Sequence, residues 1–128
     1  QAATDITGFS LMGHAYKMAR ASHVAIELQA HALPVLPQVA ALVEMGCIPG
    51  AVFSNRASVG EYCTVASHLP RWLTSLLYDP QTSGGILMAV DAAHASQAID
   101  DLKAAGYEYT TAIGTVIEKS DHPTVHCR

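Results

Sequence analysis

Two kinds of apolar spacing alternate irregularly along this chain and constrain its fold more than any other feature. From Phe9 onward, apolar residues recur at the i, i+3, i+4 and i+7 positions of an amphipathic helix, with Lys17 and Arg20 near its C-terminal end. Residues 24–28 alternate as a half-buried strand does, whereas residues 86–90 form a continuous apolar run typical of a strand buried on both faces. Because helices and strands mix without strict alternation, the sequence predicts an α+β sandwich with one mixed sheet.

Helix-breaking and capping residues place the remaining elements. Gly46 and Gly106 are expected to end helices, and the side-chain oxygen of Asp91 is expected to cap another. Residues 54–56 are typical of a polar loop, and residues 57–68 fit either a strand or a loose helix. The other predicted elements are helices over 38–45, from Pro70 onward and over 92–105, and strands over 113–117 and 124–126.

Length and composition describe one folded domain. The chain has 128 residues, half of them hydrophobic and only 14% charged, which excludes a disordered segment. Its net charge is −4 and its basic residues are scattered, so we expect no nucleic-acid partner. No apolar run approaches the ~20 residues that span a bilayer, so we expect no membrane partner. Because the chain starts with Gln1 rather than Met, we expect a piece of a longer protein.

Several other polar residues have ordinary structural interpretations. Cys47, Cys63 and Cys127 are odd in number, widely spaced and without a CxxC pair, so they predict reduced thiols in a cytoplasmic protein. His14 is interpreted as a packing or hydrogen-bonding histidine of the first helix. Asn55 and Arg56 either form a polar contact or belong to a solvated loop.

The segment before the first helix is the first candidate site. Thr4, Asp5 and Thr7 supply a carboxylate and two hydroxyls there, and Gly8 allows another chain or a ligand to come close. Two interpretations stay open. In one, Asp5 and Thr7 only cap the helix by accepting from its free N–H groups. In the other, Asp5 holds a hard cation such as Mg²⁺, while the positive helix start favours an anion.

The second candidate is the run DPQTSGG at residues 79–85, just before the apolar run. Gly84 and Gly85 permit positive φ, so the N–H groups of this loop can converge into an anion-binding nest, and the Thr82 and Ser83 hydroxyls add donors. It is not a Walker A loop, because no GK[ST] follows the glycines. The alternative is a purely structural loop.

At these two segments the sequence resembles a known family, the selenophosphate synthetases (selenide, water dikinases) of the aminoimidazole ribonucleotide synthetase superfamily. The run ATDITGFSLMGH at residues 3–14 is similar to the start of that family's C-terminal domain, and DPQTSGG is similar to its other hallmark. Ser10 stands where the family usually has glycine, and Ala51 and Val52 replace a Gly-Thr pair. The further segments that resemble the family are residues 33–37, 46–50 and 113–116.

The resemblance implies an ATP-dependent enzyme that forms selenophosphate from selenide, ATP and water, releasing AMP and phosphate. It implies a three-layer α/β/α sandwich, partly ferredoxin-like, as the C-terminal domain of a longer enzyme. In that family ATP, Mg²⁺ and the reactive cysteine or selenocysteine lie mainly on an N-terminal domain, which falls outside residues 1–128, and the C-terminal domain lends an aspartate that matches Asp5. The candidate cofactor-binding residues of this chain are Thr4, Asp5, Thr7, Gly8, Ser83, Gly84 and Gly85, with Asp5 as the metal ligand and no catalytic residue.

The chemistry of phosphoryl transfer also indicates that this chain carries only part of an active site. Phosphoryl transfer needs metal carboxylates, a cationic clamp and a phosphate cradle together, and this chain offers one well-placed carboxylate, so we expect it to be inactive alone. One alternative is a thiamine-phosphate kinase or purine-synthesis relative with the same architecture. Another is a non-catalytic module that binds a partner or dimerises. An apolar patch left by the N-terminal domain would favour a homodimer.

Overall fold

The computed structural model describes residues 1–118 and 124–128. Within them the chain forms two sheets and five α-helices. The strands are β1 (Ala2–Asp5), β2 (Val24–Leu28), β3 (Cys63–Val65), β4 (Ile86–Ala89), β5 (Gly114–Glu118) and β6 (Val125–Cys127). The helices are α1 (Ser10–Ala21), α2 (Val39–Glu44), α3 (Ala51–Val59), α4 (Arg71–Leu77) and α5 (Ala95–Ala104), with short 3-10 turns at Ala30–Ala32, Gly60–Tyr62 and Ala92–His94.

The larger sheet is mixed, with the strand order β3-β6-β2-β5. Strand β6 runs parallel to both β3 and β2, whereas β5 pairs with β2 in the antiparallel sense. The smaller sheet contains only β1 and β4, which are antiparallel. The α+β class and the mixed sheet are therefore confirmed, and the two-stranded sheet is an addition that the sequence did not predict.

Helix α1 joins the two sheets through its buried side. Met12, Ala15 and Ala19 are completely buried, and the helix packs against β1 of the small sheet and against β2 and β6 of the large one. Burying a side chain as large as Met12 contributes about 1.5–3 kcal/mol to the free energy of unfolding. Other large side chains of this core that are fully buried are Leu28, Leu73, Leu77 and Val125.

The expectation that residues 86–90 are buried on both faces is wrong. In β4 only Leu87 is buried, at 8% exposure, whereas Ile86 is 69% and Met88 is 44% exposed. The physical reason is that β4 lies in a two-stranded sheet of which only the inner face packs on the core. Alternate residues of the strand therefore face outward. An apolar strand face is thus left uncovered by the residues that the structure describes.

Residues 54–56 do not form the expected polar loop. They lie in the middle of α3, where Asn55 is buried at 7% exposure between turns that pack on α1. The ambiguous stretch at residues 57–68 begins with the end of α3, which runs to Val59, and continues as a 3-10 turn at Gly60–Tyr62 and the short strand β3. The ambiguity arose because this stretch is too short to show either periodicity clearly.

The predicted helix ends are confirmed where one residue determines them. Gly46 (φ +89°) follows α2 and Gly106 (φ +98°) follows α5, each in the left-handed region that glycine enters easily. Pro70 directly precedes α4. The Asp91 carboxylate accepts a hydrogen bond of 2.9 Å from the amide of Ala93 and so caps the turn that leads into α5.

Candidate functional site

The two segments singled out in the sequence lie side by side in the structure. Asp5 pairs with Ile86 in the small sheet, and the amide of Ile6 donates to the carbonyl oxygen of Gly85 over 2.9 Å. One residue further on, the amide of Gln81 donates to the carbonyl oxygen of Thr7 over 3.1 Å. The candidate residues 4–8 and 83–85 therefore form one contiguous site, although they stand about eighty residues apart in the chain.

Asp5 occupies the last position of β1 and faces solvent. Directly opposed residues of an antiparallel pair share a face, so Asp5 lies on the outer face with exposed Ile86, whereas Thr4 lies on the inner face with buried Leu87. Among residues 1–118 and 124–128, no hydrogen bond or salt bridge reaches the Asp5 carboxylate. This carboxylate is consequently available to a ligand from outside the domain.

The interpretation of Asp5 and Thr7 as helix caps is wrong. Helix α1 begins at Ser10, five residues beyond Asp5, and the Ser10 hydroxyl accepts from the amide of Gly13 over 3.3 Å. Ser10 has φ +69°, a left-handed conformation that glycine would adopt more easily than serine. The chain needs the intervening residues to turn from the strand into the helix, which separates both predicted caps from the helix start.

His14 ties helix α1 to the segment that carries Asp5. Its Nε2 atom lies 2.9 Å from Thr7 Oγ1 and 3.2 Å from the Thr7 amide nitrogen, and its Nδ1 atom lies 3.4 Å from Thr4 Oγ1. Burial and the positive charge of Lys17 lower the pKa of His14, and the opposing effect of Asp5 is smaller. The interpretation of His14 as a hydrogen-bonding histidine is confirmed. Because an amide N–H can only donate, Nε2 accepts, and the ring is neutral with its proton on Nδ1.

Asn55 fixes the turn after Asp5 from the opposite side. Its Nδ2 atom donates to the carbonyl oxygens of Gly8 at 2.9 Å and Tyr78 at 3.0 Å, so both amide hydrogens are used. Tyr78 directly precedes the DPQTSGG run, and burial raises the pKa of its phenol to about 12. One buried amide thus holds both candidate segments in place. Sequence reasoning missed this role because Asn55 was assigned to a loop.

The nest predicted from positive φ at Gly84 and Gly85 is not formed. Neither residue has a left-handed φ. Gly84 is instead required by close packing: a Cβ atom there would overlap the carbonyl oxygen of Ile6 and lie 2.9 Å from the Cβ of Gln81. At Gly85 a Cβ atom would meet nothing within 4 Å. The loop is therefore shaped by its contact with residues 6–8, and Ser83 remains exposed at its tip.

The other acidic group of the loop is already engaged. Asp79 accepts a hydrogen bond of 2.8 Å from the Gln81 side chain, and partial burial raises the pKa of Asp79. In the part of the chain that the structure describes, no three His, Cys, Asp or Glu residues are grouped so that they could hold a metal ion. Oxygen ligands suit Mg²⁺, and one free carboxylate fits a site to which this domain contributes a single ligand.

Comparison with known proteins identifies relatives along nearly the whole chain. The family model described as AIR synthase related protein, C-terminal domain, matches residues 1–126. The chain is 43% identical over 120 residues to the selenide, water dikinase of Porphyromonas gingivalis (strain ATCC 33277), covering 93% of this chain and 34% of that protein. It is 42% identical over 114 residues to the selenide, water dikinase of Rhizobium meliloti (strain 1021), covering 89% of this chain and 33% of the relative.

A third relative, the selenide, water dikinase of Clostridioides difficile (strain 630), is 36% identical over 118 residues, which are 92% of this chain and 34% of that protein. The chain spans about a third of the length of the curated relatives it matches. No helix among the described residues has the length and apolarity to cross a membrane. The resemblance drawn from residues 3–14 and 79–85 is confirmed, and the chain belongs to the family of AIR synthase related protein C-terminal domains.

Proposed function

We propose that this chain is the C-terminal domain of an enzyme that forms selenophosphate from selenide, ATP and water, with AMP and phosphate as the other products. The similarity to three selenide, water dikinases at 36–43% identity supports this substrate class. The domain contributes Asp5 to the binding of Mg²⁺ and ATP in the cytoplasm. The larger part of such an enzyme, about two thirds of the relatives' length, supplies the rest of the site.

The observation that carries the proposal is the free Asp5 carboxylate beside the DPQTSGG loop. It stands on the outer face of a strand whose backbone is hydrogen-bonded to β4, so its position is fixed although its side chain is exposed. A bound Mg²⁺ ion would neutralise charge on the phosphates that are transferred. Thr4, Thr7 and Gly8 shape the backbone around Asp5, and the exposed Ser83 hydroxyl lies on the neighbouring loop with Gly84 and Gly85.

The uncovered apolar face next to Asp5 supports a boundary with a further domain. Ile86 shares the outer face with Asp5, and Met88 follows two residues along the same strand. Exposed apolar strand faces of this kind are covered by another protein surface in a stable assembly. We assign this face to the N-terminal part of the same enzyme, which would bring its own metal ligands to Asp5.

The decisive experiment replaces Asp5 in the full-length enzyme. Asp5→Asn keeps the shape but removes the charge, and we expect selenide-dependent AMP release to fall about 100-fold or more, because a charge that stabilises transferred phosphate is lost. Asp91→Asn is the matched control, since asparagine caps a helix as well as aspartate does. AMP release by Asp5→Asn within threefold of the parent enzyme would refute the metal-ligand role.

The 128-residue chain by itself is expected to release no AMP from ATP and selenide. Activity of the isolated chain would show that the N-terminal part is dispensable. It would refute the proposal that this part supplies most of the active site. The breadth of the matched family favours one second candidate, a purine-synthesis relative with the same architecture. ATP turnover that does not depend on selenide but does depend on another acceptor would favour that candidate.

A further inference from the structure

We infer that His14 is a positioning residue that sets the direction of the Asp5 carboxylate. The imidazole contacts Thr4, which directly precedes Asp5, through Nδ1 and Thr7, two residues after Asp5, through Nε2, while its own backbone belongs to α1. Nothing assigned to the domain so far requires a buried histidine at this place. The consequence for metal binding rests on the proposed function, whereas the effect of His14 on the segment itself does not.

A continuous chain of hydrogen bonds runs from His14 to the backbone of Asp5. With Nε2 accepting from Thr7, the ring proton resides on Nδ1 and is donated to Thr4 Oγ1. The Thr4 hydroxyl in turn donates to the carbonyl oxygen of Asp5 over 3.2 Å. Each donor and acceptor in this chain has one consistent role, so the neutral ring holds the Asp5–Ile6 and Ile6–Thr7 peptide groups in a single arrangement.

Attachment of the segment to the domain does not depend on His14. The amide of Ile6 is bonded to Gly85, and the carbonyl of Thr7 is bonded to Gln81, irrespective of the imidazole. Loss of the ring would therefore leave the segment in place but remove the acceptor of the Thr7 amide and the imidazole partner of the Thr4 hydroxyl. Residues that orient a metal ligand through hydrogen bonds typically change metal affinity by 10–100-fold when they are replaced.

The test compares His14→Leu with His14→Gln in the full-length protein. Leucine fills similar space without any acceptor, whereas the glutamine amide oxygen can accept from Thr7 in place of Nε2. In His14→Leu we expect faster hydrogen exchange in a peptide covering residues 4–8 and about a tenfold higher Mg²⁺ concentration for half-maximal activity. His14→Gln is expected to stay within about threefold of the parent in both measurements.

A double variant of His14 and Asp5 tests whether His14 affects the Mg²⁺ requirement through Asp5. If His14 acts through Asp5, His14→Leu raises the Mg²⁺ requirement in the parent but not in an Asp5→Asn background. An equal increase in both backgrounds would overturn the inference, as would unchanged exchange of residues 4–8 in His14→Leu.

Failure of the proposed function has a different signature. An unchanged Mg²⁺ requirement in Asp5→Asn would refute the metal-ligand role, while hydrogen exchange still decides whether His14 orders the segment. Should His14→Leu fail to fold, Thr4→Val takes its place, because it removes only the hydroxyl link to Asp5. Faster exchange and a raised Mg²⁺ requirement in Thr4→Val support the inference, and parent-like values overturn it.

Discussion

Replacement of Gly84 by alanine is the sharpest test of how the two candidate segments fit together. An added Cβ would overlap the carbonyl oxygen of Ile6 and press on the Cβ of Gln81 at 2.9 Å. Because the first of these neighbours is backbone, relief requires β1 and the loop to separate. Overpacking of this kind costs about 1–3 kcal/mol, and weakening the bond from the Ile6 amide to Gly85 costs about 1 kcal/mol more.

The expected loss in the free energy of unfolding for Gly84→Ala is therefore about 2–4 kcal/mol. For a domain of this size that corresponds to a decrease of about 8–16 °C in the melting temperature. Gly85→Ala is the matched control, because a Cβ there meets open space and φ is not left-handed. We expect it to melt within about 4 °C of the parent, or slightly above it since alanine lowers the entropy of the unfolded chain.

Thermal unfolding followed by circular dichroism, with urea titration as a second measure, distinguishes the two variants. Equal melting temperatures for Gly84→Ala and Gly85→Ala would refute the reasoning. Equal and large decreases in melting temperature would mean that both glycines need special backbone angles. Equal and negligible decreases would mean that β1 and the loop are not in contact. Only a difference between adjacent glycines supports the close approach.

Three further results are expected. Asn55→Leu should lower the free energy of unfolding by about 2–3 kcal/mol, because the carbonyls of Gly8 and Tyr78 both lose their donor, while the neighbouring Ser54→Ala should change it by less than about 0.5 kcal/mol in the same urea titration. The pKa of His14 is lowered on folding, so below about pH 6.5 the unfolded chain binds a proton more readily than the folded chain does. The free energy of unfolding should therefore fall as the pH decreases from 7 to 5. In a pH series of melting curves, His14→Gln should lack this component of the decrease. With a thiol reagent at pH 8, exposed Cys47 should react rapidly and Cys63 only on unfolding, because burial raises the pKa of Cys63 to about 12; rapid modification of Cys63 would contradict its burial.

The elements that the sequence predicted well are those determined by neighbouring residues. Helix α1 follows from its own apolar spacing, and the turn before α5 begins with the Asp91 cap, so no distant contact is needed to foresee either. Strand β1 was not predicted, because residues 2–5 show no apolar alternation and gain their extended form from pairing with β4 far along the chain. Short strands depend on such partners more than on intrinsic preference.

In the candidate site too, features set by neighbouring residues could be predicted, whereas features set by distant contacts could not. Asp5 could be singled out from the sequence, but its availability depends on Ser10 rather than Asp5 serving the helix start. The need for glycine at position 84 was assigned to the wrong cause, since only the fold reveals that Ile6 lies against it. A local sequence pattern also cannot predict the hydrogen bonds from Asn55 to two carbonyl oxygens, because these acceptors are 23 and 47 residues away along the chain.

The alignment of Asp5 with Ile86 has a consequence for how loop lengths in this domain can change. Neighbouring positions of a strand point to opposite sides, so sliding β1 by a single residue along β4 would exchange the two sides and carry the charge of Asp5 toward the core. An unpaired buried charge is costly, and the Mg²⁺ ion proposed to bind Asp5 would lose its ligand at the same time. Deleting or inserting one residue between positions 79 and 85 should therefore be far more harmful than substituting Thr82 or Ser83 at the exposed tip.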